Sequence, residues 1–309
     1  MDYSTEGTQA ARSIELNDGS KMPLLGLGTW KPCHLPRTSV QGAVEAAIAA
    51  GYRHVDTASC YGNEADIGKA LRSMMRQGVI SRQDMFIVSK LRRTHYGLED
   101  IQLCLNKSLQ DLQLDYLDLY LLHSPAGIKK TCEDHEASSI DYVDVWTGME
   151  SLLASGKVKN IGVCNFNIMQ LERLLALCKI PPAVNQVELH PYLTQPELTK
   201  FCKSRNVALI AFSPFGSPAR PPQLLREGAD PNKLLQDPVV AEIGKKHKRS
   251  PAQVLLRYHV QQGIAVIPRS DKSHHILENT KIFDFCLSEE DMTALRGLER
   301  GWRALHLDE

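Results

Sequence analysis

A surplus of either charge is the first thing this sequence lacks: its 309 residues carry 36 Lys plus Arg against 36 Asp plus Glu. Without a global field nothing recruits the chain to nucleic acid or to an anionic membrane, so any anion binding has to be local. No apolar run approaches the ~20 residues of a membrane span. The opening MDYSTEGTQAARS has neither an apolar signal core nor an Arg-rich transit pattern. Eight cysteines (33, 60, 104, 132, 164, 178, 202 and 286) are scattered with no CxxC pair and no zinc-type His/Cys spacing, which argues against disulfide frameworks and bound metal. These absences lead to the expectation of a soluble, cytoplasmic protein with reduced thiols. The NKS sequon at Asn106 is then a chance match.

What is present is an apolar content of 43%, enough for a substantial core, arranged in an alternating rhythm. SIELNDGSKMP reads as a hairpin turning at Asn17-Asp18-Gly19. Short Val/Ile/Leu-rich runs follow at 24–29, 52–56, 86–90, 118–123, 159–164, 184–189, 208–213 and 264–268. Segments with a 3.6-residue apolar period separate them at 38–50, 98–112, 142–155, 167–178, 195–205 and 251–262, and the stretch HVDTASCYGNEADIG turns from strand to amphipathic helix within itself. Strand–helix alternation signals a parallel sheet, and eight core strands is the number that closes a barrel. The rival, a doubly wound dinucleotide fold, requires G-x-G-x-x-G at its first strand–helix turn. Here Gly26-Leu27-Gly28 continues into Thr29-Trp30-Lys31, without the third glycine. We therefore expect one (β/α)8 TIM barrel over residues 1–309, with an N-terminal β-hairpin and long loops at 124–142 and 213–238. Both loops follow strand C-termini, the face where barrel enzymes bind ligands.

The same face collects unusual polar residues. Asp56 closes the second expected strand, Lys90 the third and His123 the fourth, with Tyr61 just beyond Asp56 at the start of the next helix. Singly, each has a structural reading: a helix cap, a surface lysine, a core histidine, a packing tyrosine. Four at consecutive strand ends would be costly to bury unless they satisfied one another. Together they make a proton donor: an ammonium lowers the phenol's pKa from about 10, and a carboxylate keeps the ammonium charged. A neutral imidazole would stabilise charge growing on a carbonyl oxygen. Such equipment suits carbonyl reduction, for which no side chain supplies the hydride, so a nicotinamide cofactor is implied.

The motifs GLGTW (26–30), DTASCYGNE (56–64), SKL (89–91), YLDLYLLH (116–123), GVCNFN (162–167), NQVELHPY (185–192), AFSPFGS (211–217), IPRSDKSHHILEN (267–279) and RGWR (300–303) run in order along the chain. In these the sequence resembles the aldo-keto reductases, NADPH-dependent (β/α)8-barrel enzymes. The resemblance implies a catalytic tetrad of Asp56, Tyr61, Lys90 and His123, with Tyr61 as general acid. It implies nicotinamide contacts from Cys164, Asn165 and Gln186, where relatives have Ser, Asn and Gln; a thiol is the poorer donor. Phe212 takes the place of a stacking Tyr, Ser213, Phe215 and Ser217 match pyrophosphate contacts, and Gly28, Thr29, Trp30 and Asp56 border the cofactor. For the adenosine 2′-phosphate the matching residues are Arg269, Ser270, Lys272 and His275, with Glu278 and Asn279 completing the motif. His275 stands where relatives carry Arg, replacing a permanent charge by one that changes near neutral pH. NADPH is expected over NADH with a reduced margin.

Around the substrate the resemblance implies Trp30, Tyr61, Arg92, His123 and Ser124. Relatives often place Trp at the positions of Arg92 and Ser124, so the pocket is expected to be roomier and more polar, favouring carboxylate-bearing, sugar-like carbonyls. Alternatively Arg92 turns to solvent or pairs with Glu133 or Asp134. The remaining selectivity is expected from the two long loops and the C-terminal RALHLDE. Two rivals to a monomeric carbonyl reductase are a non-catalytic NADP(H)-binding protein on the same scaffold, crystallin-like or channel-subunit-like, and a paired-carboxylate hydrolase. The first is opposed by the intact tetrad, the second by the pairing of Asp56 with Lys90 rather than with another acid.

Overall fold

The computed structural model describes residues 12–31, 40–128, 138–219 and 234–305. The expected hairpin is formed by β1 (Ser13–Glu15) and β2 (Lys21–Pro23), antiparallel, with Ile14 opposite Met22. Gly19 supplies the left-handed residue of the turn at φ +85°, a conformation without steric cost for glycine. The hairpin covers one end of the core, where Met22 and Leu24 are buried.

Eight parallel strands follow: β3 (Leu27–Gly28), β4 (His54–Asp56), β5 (Phe86–Leu91), β6 (Leu117–Leu122), β7 (Val158–Cys164), β8 (Val184–Glu188), β9 (Ala208–Phe212) and β10 (Ala265–Val266). Each pairs with its sequence neighbour, and the ends of the series meet. Leu25 bridges Val266 in parallel, and Gly28 donates its backbone N–H to Pro268 O. This closure depends on Gly28, since a Cβ there would lie 2.5 Å from Ile267 O. The sheet is thereby a (β/α)8 barrel preceded by a hairpin, as expected. Its interior strands are buried along nearly their whole length, which explains why they read as continuous apolar runs rather than alternating ones.

The described helices are α1 (Gln41–Ala49), α2 (Glu64–Arg76), α3 (Leu98–Leu112), α4 (Tyr142–Leu153), α5 (Ile168–Leu177), α6 (Pro196–Ser204), α7 (Pro238–His247) and α8 (Pro251–Val260) between strands, and α9 (Ser273–Asn279) and α10 (Glu289–Arg296) after the last strand. None of the described helices is long and apolar enough to cross a membrane. Helix starts carry their chemistry in the sequence: Asn167 with Gln170 and Ser250 with Gln253 form reciprocal capping boxes. α7, α9 and α10 fall where the sequence reading placed no helix. They complete the barrel's last third, α7, α8 and α10 enclosing a second apolar cluster around Leu255, Tyr258 and Leu295. Residues 1–11, 32–39, 129–137, 220–233 and 306–309 lie outside the described residues. With them go the start of the first expected helix, part of the 124–142 loop, most of the 213–238 loop, Cys33, Cys132, Glu133, Asp134 and the end of the C-terminal segment.

Candidate active site

At the C-terminal ends of the strands a cavity of about 630 Å³ opens. Its walls include Asp56, Tyr61, His123 and, from other strands, Cys164, Gln186 and Phe212. Lys90 lies beneath it, fully buried near the end of β5. Its Nζ donates to Asp56 Oδ1 at 2.5 Å and to Thr57 O at 2.9 Å, and lies 3.5 Å from the Tyr61 hydroxyl. The ammonium's three donors are thus directed to a carboxylate, a carbonyl and a phenol, which resolves how a lysine is tolerated in the core. Burial by itself would depress the Lys90 pKa; Asp56, Tyr61 and Cys164 outweigh it and hold the amine above its ordinary value. Asp56 is the only carboxylate on the wall among the described residues, which leaves a paired-acid hydrolase without its second acid.

Two expectations about Tyr61 are corrected. It ends a short 3₁₀ turn, Ser59–Tyr61, rather than starting the helix, because Gly62 in a left-handed conformation (φ +67°) separates that turn from α2. Its phenol is also raised rather than lowered: burial pushes the pKa up, the Lys90 ammonium only partly opposes this, and Asp56 adds to the rise. The proton therefore stays on Tyr61 throughout the neutral range.

His123 follows β6 and meets the Tyr61 ring edge-on, with centroids 6.0 Å apart. Burial and the Lys90 and Arg93 charges pull its pKa down to about 3, so the ring is neutral. Its Nδ1 faces Cys60 Sγ at 3.6 Å. Glu64, which shares the strand–helix junction with Asp56 and Tyr61, takes no part in the cavity. Its buried carboxylate accepts hydrogen bonds from Ser89 and Ser108, tying α2 to β5 and α3.

The residues expected around a cofactor divide into two groups. Gly28, Thr29, Trp30, Cys164, Asn165, Gln186, Phe212, Ser213, Phe215, Ser217 and Arg269 line the cavity. Asn165, Ser213 and Ser217 adopt positive φ (64°, 51° and 49°), strained for non-glycine residues and clustered on this wall. Ser213 Oγ and Ser217 Oγ lie 2.6 Å apart across a tight turn. Gln186 donates to Asp56 Oδ2 at 2.8 Å, and Asn165 Nδ2 to His123 O at 3.1 Å. Burial raises the Cys164 thiol to about 12, so it stays protonated. Ser270, Lys272, His275, Glu278 and Asn279 do not reach the cavity. They lie on α9 and the turn before it, where Lys272 and His275 are exposed while Asn279 is buried and bonded to Tyr52. Arg269 is paired with Asp271, a partner the motif did not suggest.

Of the residues expected around a substrate, Trp30, Tyr61, Arg92, His123 and Ser124 all line the cavity. Arg92 Nη2 donates to Ser59 O at 2.8 Å. Arg93, which sequence reading passed over, is also on the wall, its Nε donating to Ala126 O at 2.9 Å. Both guanidiniums hold neutral backbone carbonyls. Leu305, which falls within the C-terminal RALHLDE, is on the wall too, whereas sequence reading missed Cys60 and Thr94. Nothing in their local sequence marks them; only the packing of loops over the barrel mouth does.

The wall's donor set suits a dinucleotide: flat aromatic Phe212, the Asn165 and Gln186 amides, the Ser213 and Ser217 hydroxyls, and the Arg269 cation. Comparison with known proteins agrees with the geometry. The profile of the Aldo/keto reductase family matches residues 24–300. Mouse aldo-keto reductase family 1 member A1 is 42% identical over 302 residues, covering 95% of this chain and 91% of that protein. The human protein of that name is also 42% identical, over 307 residues, with 95% and 91% covered. Bovine prostaglandin F synthase 1 is 43% identical over 305 residues, covering 95% of this chain and 93% of that protein. With the barrel, the buried Lys90–Asp56 pair beneath Tyr61 and matches over nearly the whole length, the chain belongs to the aldo/keto reductase family of oxidoreductases.

Proposed function

We propose that this protein reduces an aldehyde or ketone to an alcohol with NADPH, with Tyr61 as general acid and a preference for carbonyl compounds that bear a carboxylate. The observation that carries the reading is the Asp56–Lys90–Tyr61 chain opening onto the cavity beside a neutral His123. A nicotinamide cofactor bound against Phe212, Asn165 and Gln186 would supply the hydride. The chain's own residues do the rest. With Nδ1 facing Cys60 Sγ at 3.6 Å, the tautomer of the neutral His123 ring that carries its proton on Nε2 offers the donor a carbonyl oxygen requires. As charge grows on that oxygen it becomes far more basic than a phenolate, and Tyr61 gives up its proton although its own pKa is raised. Lys90 stabilises the phenolate left behind, and Asp56 with Gln186 keeps Lys90 charged and fixed.

The 2′-phosphate preference rests on Arg269 and Lys272. The carboxylate preference rests on Arg92, seconded by Arg93, because a cavity wall holding two cations offers a desolvated, charge-assisted contact. The test is a panel of carbonyl compounds matched in size, with and without a carboxylate, followed at the nicotinamide absorbance with NADPH and with NADH. Consumption of NADPH with the acidic compounds at higher kcat/KM is the expected result. No turnover of any carbonyl compound overturns the reading.

A further inference from the structure

Glu188 ends strand β8 with its side chain almost wholly buried (1% exposed), and the chemistry above has no use for it. Its carboxylate is nevertheless fully engaged. Oε1 accepts the backbone N–H of Ala304 at 2.6 Å and faces His190 Nε2 at 2.8 Å, while Oε2 accepts the N–H of Leu305 at 3.1 Å. Two of these donors lie more than a hundred residues away in sequence, in the C-terminal segment, and Leu305 is a wall of the cavity. Upstream the same segment is threaded over Tyr192: Trp302 N donates to Tyr192 O at 3.0 Å, and the Arg300 guanidinium sits 3.6 Å from the Tyr192 ring centre. The Trp302 ring rests near His190 and faces Gly216, where an added Cβ would come within 3.2 Å of it.

We infer that Glu188 is a positioning residue whose carboxylate clasps the C-terminal segment, so that Leu305 is held in the cavity wall and sets which carbonyl compounds fit. The physical reason lies in the geometry. An irregular segment without helix or strand has no ladder to satisfy its N–H groups, and a buried acceptor with two oxygens can fix two consecutive ones at once. A carboxylate in that position is desolvated and cannot be left without donors, so segment and acid each require the other. The bend also places Trp302 against the Ser213–Ser217 turn, joining the cofactor-facing and substrate-facing walls through one clasp.

The direct test is amide hydrogen exchange in the full chain. Glu188→Gln keeps the shape but retains a single acceptor oxygen, so exchange at Ala304 and Leu305 is expected to quicken on the order of ten- to a hundredfold, with β5–β7 unchanged. Ala304→Pro deletes one donor without touching the buried acid, and the same readout at Leu305 serves should a Glu188 variant fail to fold. The kinetic arm rests on the carbonyl-reductase reading, whereas the exchange arm stands without it, so their failures are distinguishable. Glu188→Gln and Leu305→Ala should each raise kcat/KM for a bulky aldehyde relative to a small one, largely through KM, and the double variant should add little to either. Unchanged exchange at 304–305, or an equal loss on all substrates with kcat falling and KM constant, overturns the proposal.

Discussion

The ammonium of Lys90 lies 3.5 Å from the hydroxyl of Tyr61, yet it does not bring the phenol into the neutral range, because burial outweighs it. In the proposed reaction the pair would therefore stabilise a phenolate as it forms rather than store one. Tyr61→Phe should keep the ring and the cavity wall, leave cofactor affinity nearly unchanged, and lower carbonyl reduction by ~10²–10⁴-fold. Single-turnover reduction alongside a cofactor titration checks this. A variant with more than about a tenth of the parent's turnover would exclude Tyr61 as the acid.

Removing Lys90 should cost stability as well as rate. Lys90→Met leaves Asp56 buried with only Gln186 still donating to it, and breaking a buried pair typically costs about 3–5 kcal/mol. Adding Asp56→Asn to that variant should recover much of the lost stability without recovering activity. Urea unfolding of the single and double variants separates the two effects; no recovery in the double variant would mean the loss came from packing.

The cationic wall makes a substrate prediction. Arg92→Leu should erase most of the preference for a carboxylate-bearing carbonyl, roughly ten- to a hundredfold in kcat/KM, while sparing a neutral aldehyde of similar size. Equal effects on both substrates would assign Arg92 to supporting the Ser59 turn, whose carbonyl it holds.

For the cofactor, His275→Arg should widen the affinity gap between NADPH and NADH, because a guanidinium makes a permanent, bidentate contact with phosphate. His275 is exposed on α9, so the change should leave folding untouched. Fluorescence titration of both cofactors measures the gap, and equal NADPH and NADH affinities in the parent protein would remove the basis for choosing NADPH.

Stability should fall in mild acid. Burial pulls His259 (2% exposed), helped by the nearby His190, down to about 3, against about 6.5 in an unfolded chain. Above pH 6.5 neither state is protonated and the group contributes no pH dependence. Below it the unfolded chain takes up a proton that the folded one refuses, so stability is lost down to about pH 3, by up to about 1.4 kcal/mol per pH unit. His259→Gln should flatten the fall between pH 6 and pH 4 in denaturant midpoints, and an unchanged slope would show that other groups dominate.

The sequence by itself determined the barrel and pointed to the residues proposed as the reacting groups. Eight buried parallel strands leave long apolar runs, and polar residues at their C-terminal ends stand out against them, so Asp56, Lys90 and His123 were legible from pattern and Tyr61 from its place beyond Asp56. Helices α7 and α10 also carry legible caps, in Asp237-Pro238 and in the Ser288–Asp291 box. What only the tertiary structure decided is everything that depends on distance between segments remote in sequence. The rise of the Tyr61 phenol follows from its burial at the barrel mouth beside Asp56 and Cys164, which come from other strands. Arg93 and Cys60 join the cavity because loops from different strands meet there. Glu188 reads in sequence as one more strand-end acid, and only the fold brings Ala304 and Leu305 to it, since a hydrogen bond between residues so far apart leaves no local periodicity to read.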